Sequence, residues 1–286
     1  MHRVLFLFPL WTWGPLFFTT LINATAEKAL QEFNTLLKLS KSELQDLTDE
    51  FVILSPRAVM FSGLIWSLIY VFQNIMGYES FYGANGVGNV GLYSGILLGL
   101  PAYLIGSILP YYTWRLLRLV RRTLERVKSF NLFNLTPVYA LSRLTALTGI
   151  AIVLMLSLTL VTFPIEMVNV SVTAVLGVQM LLAVAAFILP LRSVNQKLVA
   201  VKQGLLAEHQ ERVGQTLARL HQAVGAIPIK KVSEIEAALN ALVVEERILR
   251  KVPTWPWRSE TLREFVSALL IPMILWAVQL MLARNL

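Results

Sequence analysis

The chain has no cysteine and only three histidines, and Asp, Glu, Lys and Arg together make up just 15% of its 286 residues. Without cysteine there are no structural disulfides, thiolate nucleophiles or cysteine-ligated metals, and the redox compartment is unreadable. His209 and His221 stand twelve residues apart, so on one helix they point about 120° apart and form no metal pair. Both read as solvated, and no metal or other cofactor is expected. Also missing are H-E-x-x-H, G-x-S-x-G and a P-loop ending in Gly-Lys-Ser/Thr, so the familiar hydrolase and nucleotide sites are excluded and no enzyme is expected.

What is abundant is apolar. Hydrophobic residues make up 56% of the chain, at a mean hydropathy of +0.63. A soluble domain averages roughly 45–50% apolar and about 25% charged. The few charges are also clustered: 23 of the 25 Lys and Arg lie in residues 27–57, 113–143 and 192–264. Between these blocks run apolar stretches at about 58–76, 90–112, 144–163 and 170–190, with a fifth at 265–282. Each is long enough to cross a ~30 Å hydrocarbon layer as a helix. No Asp, Glu, Lys or His sits mid-span, which disfavours a proton relay or an intramembrane aspartyl protease.

Orientation follows from the cations. Gly77–Asn89 and Pro164–Asn169 carry no Lys or Arg, whereas 113–143 carries seven against one acidic residue. Cytoplasmic loops hold the Lys/Arg excess, so the parity of four crossings puts all three charged blocks in the cytoplasm. The fifth span then takes the C-terminus outside. The expected location is a bacterial inner membrane.

The N-terminus is open to three readings. Val4–Ile22 is apolar, and Ala24-Thr25-Ala26 resembles a signal-peptidase site. Cleavage there would leave the arginine block outside, against the charge rule. Pro9, Pro15, Trp11 and Trp13 suit either a kinked sixth span or a segment lying in the interface.

The largest aqueous segment is helical by its pattern. Leu198, Val201, Leu205, Val213, Leu217 and Leu220 form a ragged stripe, Gly225–Pro228 breaks it, and Val232, Ile235, Leu239, Leu242 and Leu249 resume it. Ser233 and Glu236 have capping-box spacing at the start of the second helix. The economical reading is an antiparallel hairpin docking a partner through Leu217, Leu220, Leu239 and Leu242. Residues 27–54 are likewise amphipathic and are expected to pack against that hairpin, while 130–135 are expected along the membrane interface.

Three further features have plainer readings beside sharper ones. Gly86-Val87-Gly88-Asn89-Val90-Gly91 spells a dinucleotide fingerprint, but without a βαβ context it reads as a flexible turn. Gly91, Gly95 and Gly99 share one helix face and invite a second helix to approach closely, with Pro101 and Pro110 as expected kinks. Arg115, Arg118, Arg121, Arg122 and Arg126 read first as a topology signal and second as contacts for anionic lipid headgroups. Nucleic acid is not an expected partner, because no stacking aromatics interleave these arginines. Gln179 lies near the middle of the fourth span, as interhelical glue or as a pore-lining contact.

The fold expected is all-α and polytopic, with five or six transmembrane helices and a cytoplasmic antiparallel helical hairpin. Its parts are an N-terminal apolar segment (1–26), an amphipathic helix (27–57), a transmembrane hairpin (58–112) and a basic connector (113–143). A second transmembrane hairpin (144–190), the cytoplasmic hairpin (191–258) and a C-terminal span (259–286) complete it. The expected function is a non-enzymatic membrane subunit or scaffold that binds a protein partner or self-associates. The alternative is a channel or transporter for an uncharged or small solute, working as a homo-oligomer.

Overall fold

The computed structural model describes residues 7–76, 88–127, 130–162, 170–223 and 229–285. Among these residues the chain is almost wholly helical, without a strand. The helices are α1 (Leu7–Leu37), α2 (Lys41–Val52), α3 (Pro56–Met76), α4 (Gly88–Gly106), α5 (Ile108–Glu125), α6 (Thr136–Thr162), α7 (Val170–Ala223), α8 (Ile229–Lys251) and α9 (Ser259–Asn285). Five helical segments, in α3, α4–α5, α6, α7 and α9, are long and apolar enough to cross a membrane. The Gly86-Val87 half of the glycine motif, most of the two loops without Lys or Arg and the Gly225–Pro228 break lie outside the described residues.

The chain forms two compact units. One comprises Met1–Arg126, Thr136–Leu191 and Trp257–Leu286, and the other Val127–Leu135 and Arg192–Pro256. Helix α7 is continuous from the first into the second through Pro190.

In the first unit α6 is the central helix, with Ala146, Gly149, Ala151 and Val153 among its buried residues. Apolar side chains gain nothing from leaving lipid for protein, so helices associate in a bilayer through close packing, which small residues permit. At Gly149 an added Cβ would lie 2.7 Å from Phe265 of α9 and 3.0 Å from the Ala183 carbonyl of α7. Ala183 and Ala268 pack there against Val153. On another side α1 runs antiparallel to α6, with the Trp11 indole N–H donating to the Thr159 hydroxyl at 3.0 Å and Gly14 against Met155. Pro15 deprives the Trp11 carbonyl of its helical partner, and Gly106 of α4 leaves room beside that carbonyl. Thr148, Ser157 and Thr159 return their hydroxyls to their own helix at Leu144, Val153 and Met155.

Helices α3 and α4 pair antiparallel. Gly63 lies beside Leu104, and the Tyr70 hydroxyl donates to the Gly95 carbonyl at 2.9 Å. Tyr70 stacks on Tyr103 at 4.1 Å, and its ring occupies the space a side chain at Gly99 would need. A turn at Ser107, between Pro101 and Pro110, separates α4 from α5 with the backbone still right-handed helical.

Several boundaries differ from the sequence reading. Residues 1–26 and 27–57 were expected as separate pieces, yet α1 runs unbroken to Leu37. The change at residue 27 is one of polarity, which sets what a helix faces rather than where it stops. Ala24-Thr25-Ala26 accordingly lies mid-helix, with Ala26 fully buried. The helix ends at Lys38, whose positive φ of 54° is supported by the Asn34 carboxamide accepting from the Leu39 N–H at 2.8 Å. A capping box of Ser40 and Glu43 then opens α2. The basic connector is helical as far as Glu125, because its leucines and valine keep a helical stripe beneath the arginines. Helix α8 begins at Ile229, a turn before Ser233, so Ser233 sits inside the helix and not at its cap.

Gly99 and Gly177 separate packing from helix propensity. Gly99→Ala is expected to destabilise by about 1–3 kcal/mol through overpacking against Tyr70. Gly177 has nothing within 4 Å of an added Cβ, so Gly177→Ala is expected to be neutral or stabilising by about 0.5–1 kcal/mol. Unfolding in detergent micelles checks both.

Candidate functional site

The second unit is built on the pairing of α7 with α8, which run antiparallel. Asn195 donates to the Thr254 carbonyl at 3.0 Å, and Lys202 donates to the Arg250 and Val252 carbonyls at 2.8 and 2.7 Å. Those carbonyls end α8, where a cation complements both unsatisfied acceptors and the helix dipole. Further along, Arg212 meets Glu245 at 2.9 Å. The other Glu245 oxygen lies 3.4 Å from Nδ1 of His209.

His209 corrects the sequence reading, which left it solvated. It is 1% exposed. It stands four residues after Leu205 and four before Val213, so it occupies the gap that made the α7 stripe look ragged. Its ring fills an apolar position with an acidic neighbour, and His221 remains exposed. Among the described residues no cluster of three potential metal ligands occurs.

The segment 130–135 belongs to this unit, with Phe130, Leu132 and Leu135 buried. Lys197 donates to the Val127 carbonyl at 3.1 Å and lies 5.8 Å over the Phe130 ring. Phe133 stays exposed and borders a groove of about 390 Å³ with Leu205, Ala241, Val244 and Ile248. Residues 27–52, by contrast, pack within the first unit, where Arg115 of α5 donates to the Ile53 and Glu50 carbonyls at 2.6 and 2.7 Å.

The residues singled out from the sequence divide as follows. Leu220, Leu239 and Leu242 are half-buried, and Leu242 borders a second groove with Arg212 and Arg219. Leu217 is exposed. Among the described residues of α8 the most exposed large apolar side chains are instead Val243, Val244 and Ile248, which the leucine stripe passes over. Their signal was Val243-Val244, a β-branched pair in a charged helix. Gln179 is half-buried on α7. Gly95 and Gly99 meet Tyr70 of the same chain, whereas Gly91 lies within α4 with no contact described.

The five arginines of the basic block do not act alike. Arg115 is engaged by the end of α2. Arg118 lies 5.6 Å from the centre of the exposed Trp114 ring, and Arg121 pairs with Glu125 at 2.8 Å. Arg122 and Arg126 are exposed.

Because two guanidinium nitrogens serve two carbonyls, Arg115→Lys is expected to lose about 1 kcal/mol, nearly as much as Arg115→Ala. Faster amide exchange confined to the last turn of α2 checks this; unchanged exchange in the alanine variant contradicts it. The chain matches no family model, no curated protein and no solved structure.

Proposed function

We propose that this chain is a non-enzymatic membrane subunit whose α7–α8 pair lies in the cytoplasm and docks a protein partner. The observation that carries the reading is Val244 and Ile248, exposed on α8 one turn apart where they line an apolar groove, with Val243 exposed next to Val244. These side chains lie in the block that holds the largest number of charged residues, where apolar surface meets water and contiguous exposure marks an interaction site. The groove between two helices suits an amphipathic partner helix that places apolar anchors at spacings of three and four.

We also propose that α1 is a sixth crossing in a bacterial inner membrane, with all three charged blocks inside. It has no charged residue from Leu7 to Ala26, and it pairs with α6 along that stretch. The directions agree: α1 and α4–α5 run one way, with Trp11 beside Gly106 and Asn23 accepting from the Tyr112 hydroxyl, and α6 runs the other.

Val244→Asp with Ile248→Asp is expected to leave the spans inserted and to abolish co-purification of the partner from native nanodiscs. Each buried aliphatic anchor contributes roughly 1.5–3 kcal/mol, so losing both lowers affinity by at least about a hundredfold. A partner retained by the double variant overturns the reading, as does a wild-type chain that purifies only as a homo-oligomer.

A further inference from the structure

We propose that the exposed face of α5 is a binding site for anionic phospholipid headgroups, formed by Arg118 and Arg122 with Trp114 and supplemented by the charge of Arg126 beyond them. The site is independent of the docking surface on α8.

The argument begins with depth. Gly63 of α3 lies beside Leu104 and Ser107, and α3 runs antiparallel to α4–α5. Counting back from Gly63 to Pro56, the start of α3 is level with about residue 112–114 at 1.5 Å per residue. Arg115 fixes the same level directly, through its hydrogen bonds to the Glu50 and Ile53 carbonyls just before α3 begins. Trp114 therefore stands where the apolar run of α3 ends, the depth at which tryptophan is favoured. Beyond it along α5, Arg118 lies about 6 Å further, Arg122 about 12 Å and Arg126 about 18 Å. The headgroup layer extends about 5–8 Å past the hydrocarbon on each side, so Arg118 lies within it and the Arg122 stem reaches back to it, while Arg126 stands beyond it and attracts anionic headgroups by its charge alone.

The second element is the character of the face. Opposite the arginines, α5 buries Leu116, Leu119, Val120 and Leu124, which fixes the cationic side outward. Trp114 is 60% exposed, and Arg118 stacks over its ring. Glu125 is the only carboxylate in α5, and Arg121 holds it. That pairing leaves Arg118, Arg122 and Arg126 as a stripe of uncompensated charge with forked donors suited to phosphate oxygens. A topology signal needs only the number of cations near the span end. The exposed tryptophan at the boundary and the neutralisation of Glu125 within the stripe add a surface that a phosphodiester fits.

The test uses the whole chain in nanodiscs, with phosphatidylcholine alone or mixed with phosphatidylglycerol, and native mass spectrometry of the lipids that stay bound. Near the surface each arginine favours an anionic lipid about fivefold, so the ratio of phosphatidylglycerol to phosphatidylcholine among the retained lipids is expected at least about tenfold above the bulk ratio, falling as salt rises. Arg118→Gln with Arg122→Gln and Arg126→Gln is expected to abolish that enrichment, whereas Arg219→Gln with Arg247→Gln in the second unit leaves it. Wild-type retention at the bulk ratio overturns the proposal without any variant. Displacement by inorganic phosphate far beyond that by chloride of equal ionic strength also overturns it, in favour of a free-anion site.

Discussion

In hydrocarbon a helix gains little by exchanging lipid for protein against its apolar side chains, so the first unit depends on how closely α6 is approached. Of the central stretch of α6, 61% is buried, against 11% for α3 and 17% for α9. The approach is made at small residues. Gly149 admits Phe265 and the Ala183 backbone, Gly14 admits Met155, and buried hydroxyls bond within their own helix. Removing a side chain at these points brings dispersion contacts into range; adding one pushes the helices apart. The peripheral helices can then leave large apolar residues such as Phe61, Leu68 and Phe72 outward, where lipid receives them.

The second unit is held together differently. Helices α7 and α8 are joined by long polar side chains more than by a dense apolar seam: Lys202 at the end of α8, Arg212 and His209 at Glu245, Asn195 at Thr254. The partly exposed Arg212–Glu245 ion pair stabilises by only about 0–1 kcal/mol, and each of the hydrogen bonds by about 0.5–1.5 kcal/mol. A pair so held leaves apolar surface exposed at Val243, Val244 and Ile248 instead of consuming it internally, which is why we propose this unit as the docking surface.

The apolar runs made the five membrane-length segments legible from sequence, because lipid solvation acts on composition, residue by residue. The continuity of α1 through residue 27 was hidden, since polarity changed there while nothing interrupted the backbone. Helical spacing pointed to the Gly95–Gly99 face. It did not point to Gly149, whose neighbours Phe265 and Ala183 come from distant segments and leave no local trace. His209 was misread because a titratable residue in a polar helix looks solvated, and only its register with Leu205 and Val213 placed it inside. Arg115 was grouped with its neighbours by charge, whereas its role is set by the carbonyls at the end of α2.

We propose a six-helix membrane unit with every charged block on one side, and a chain without cysteine makes that proposal directly measurable. Single cysteines at His2, Ser42, Ser80 and Glu211 would be probed with a membrane-impermeant maleimide in intact cells and in inverted vesicles. The account predicts labelling of positions 2 and 80 from outside, and of 42 and 211 only in inverted vesicles. Labelling of positions 2 and 42 from the same side would contradict the crossing of α1, and labelling of 42 and 211 from opposite sides would contradict the orientation as a whole.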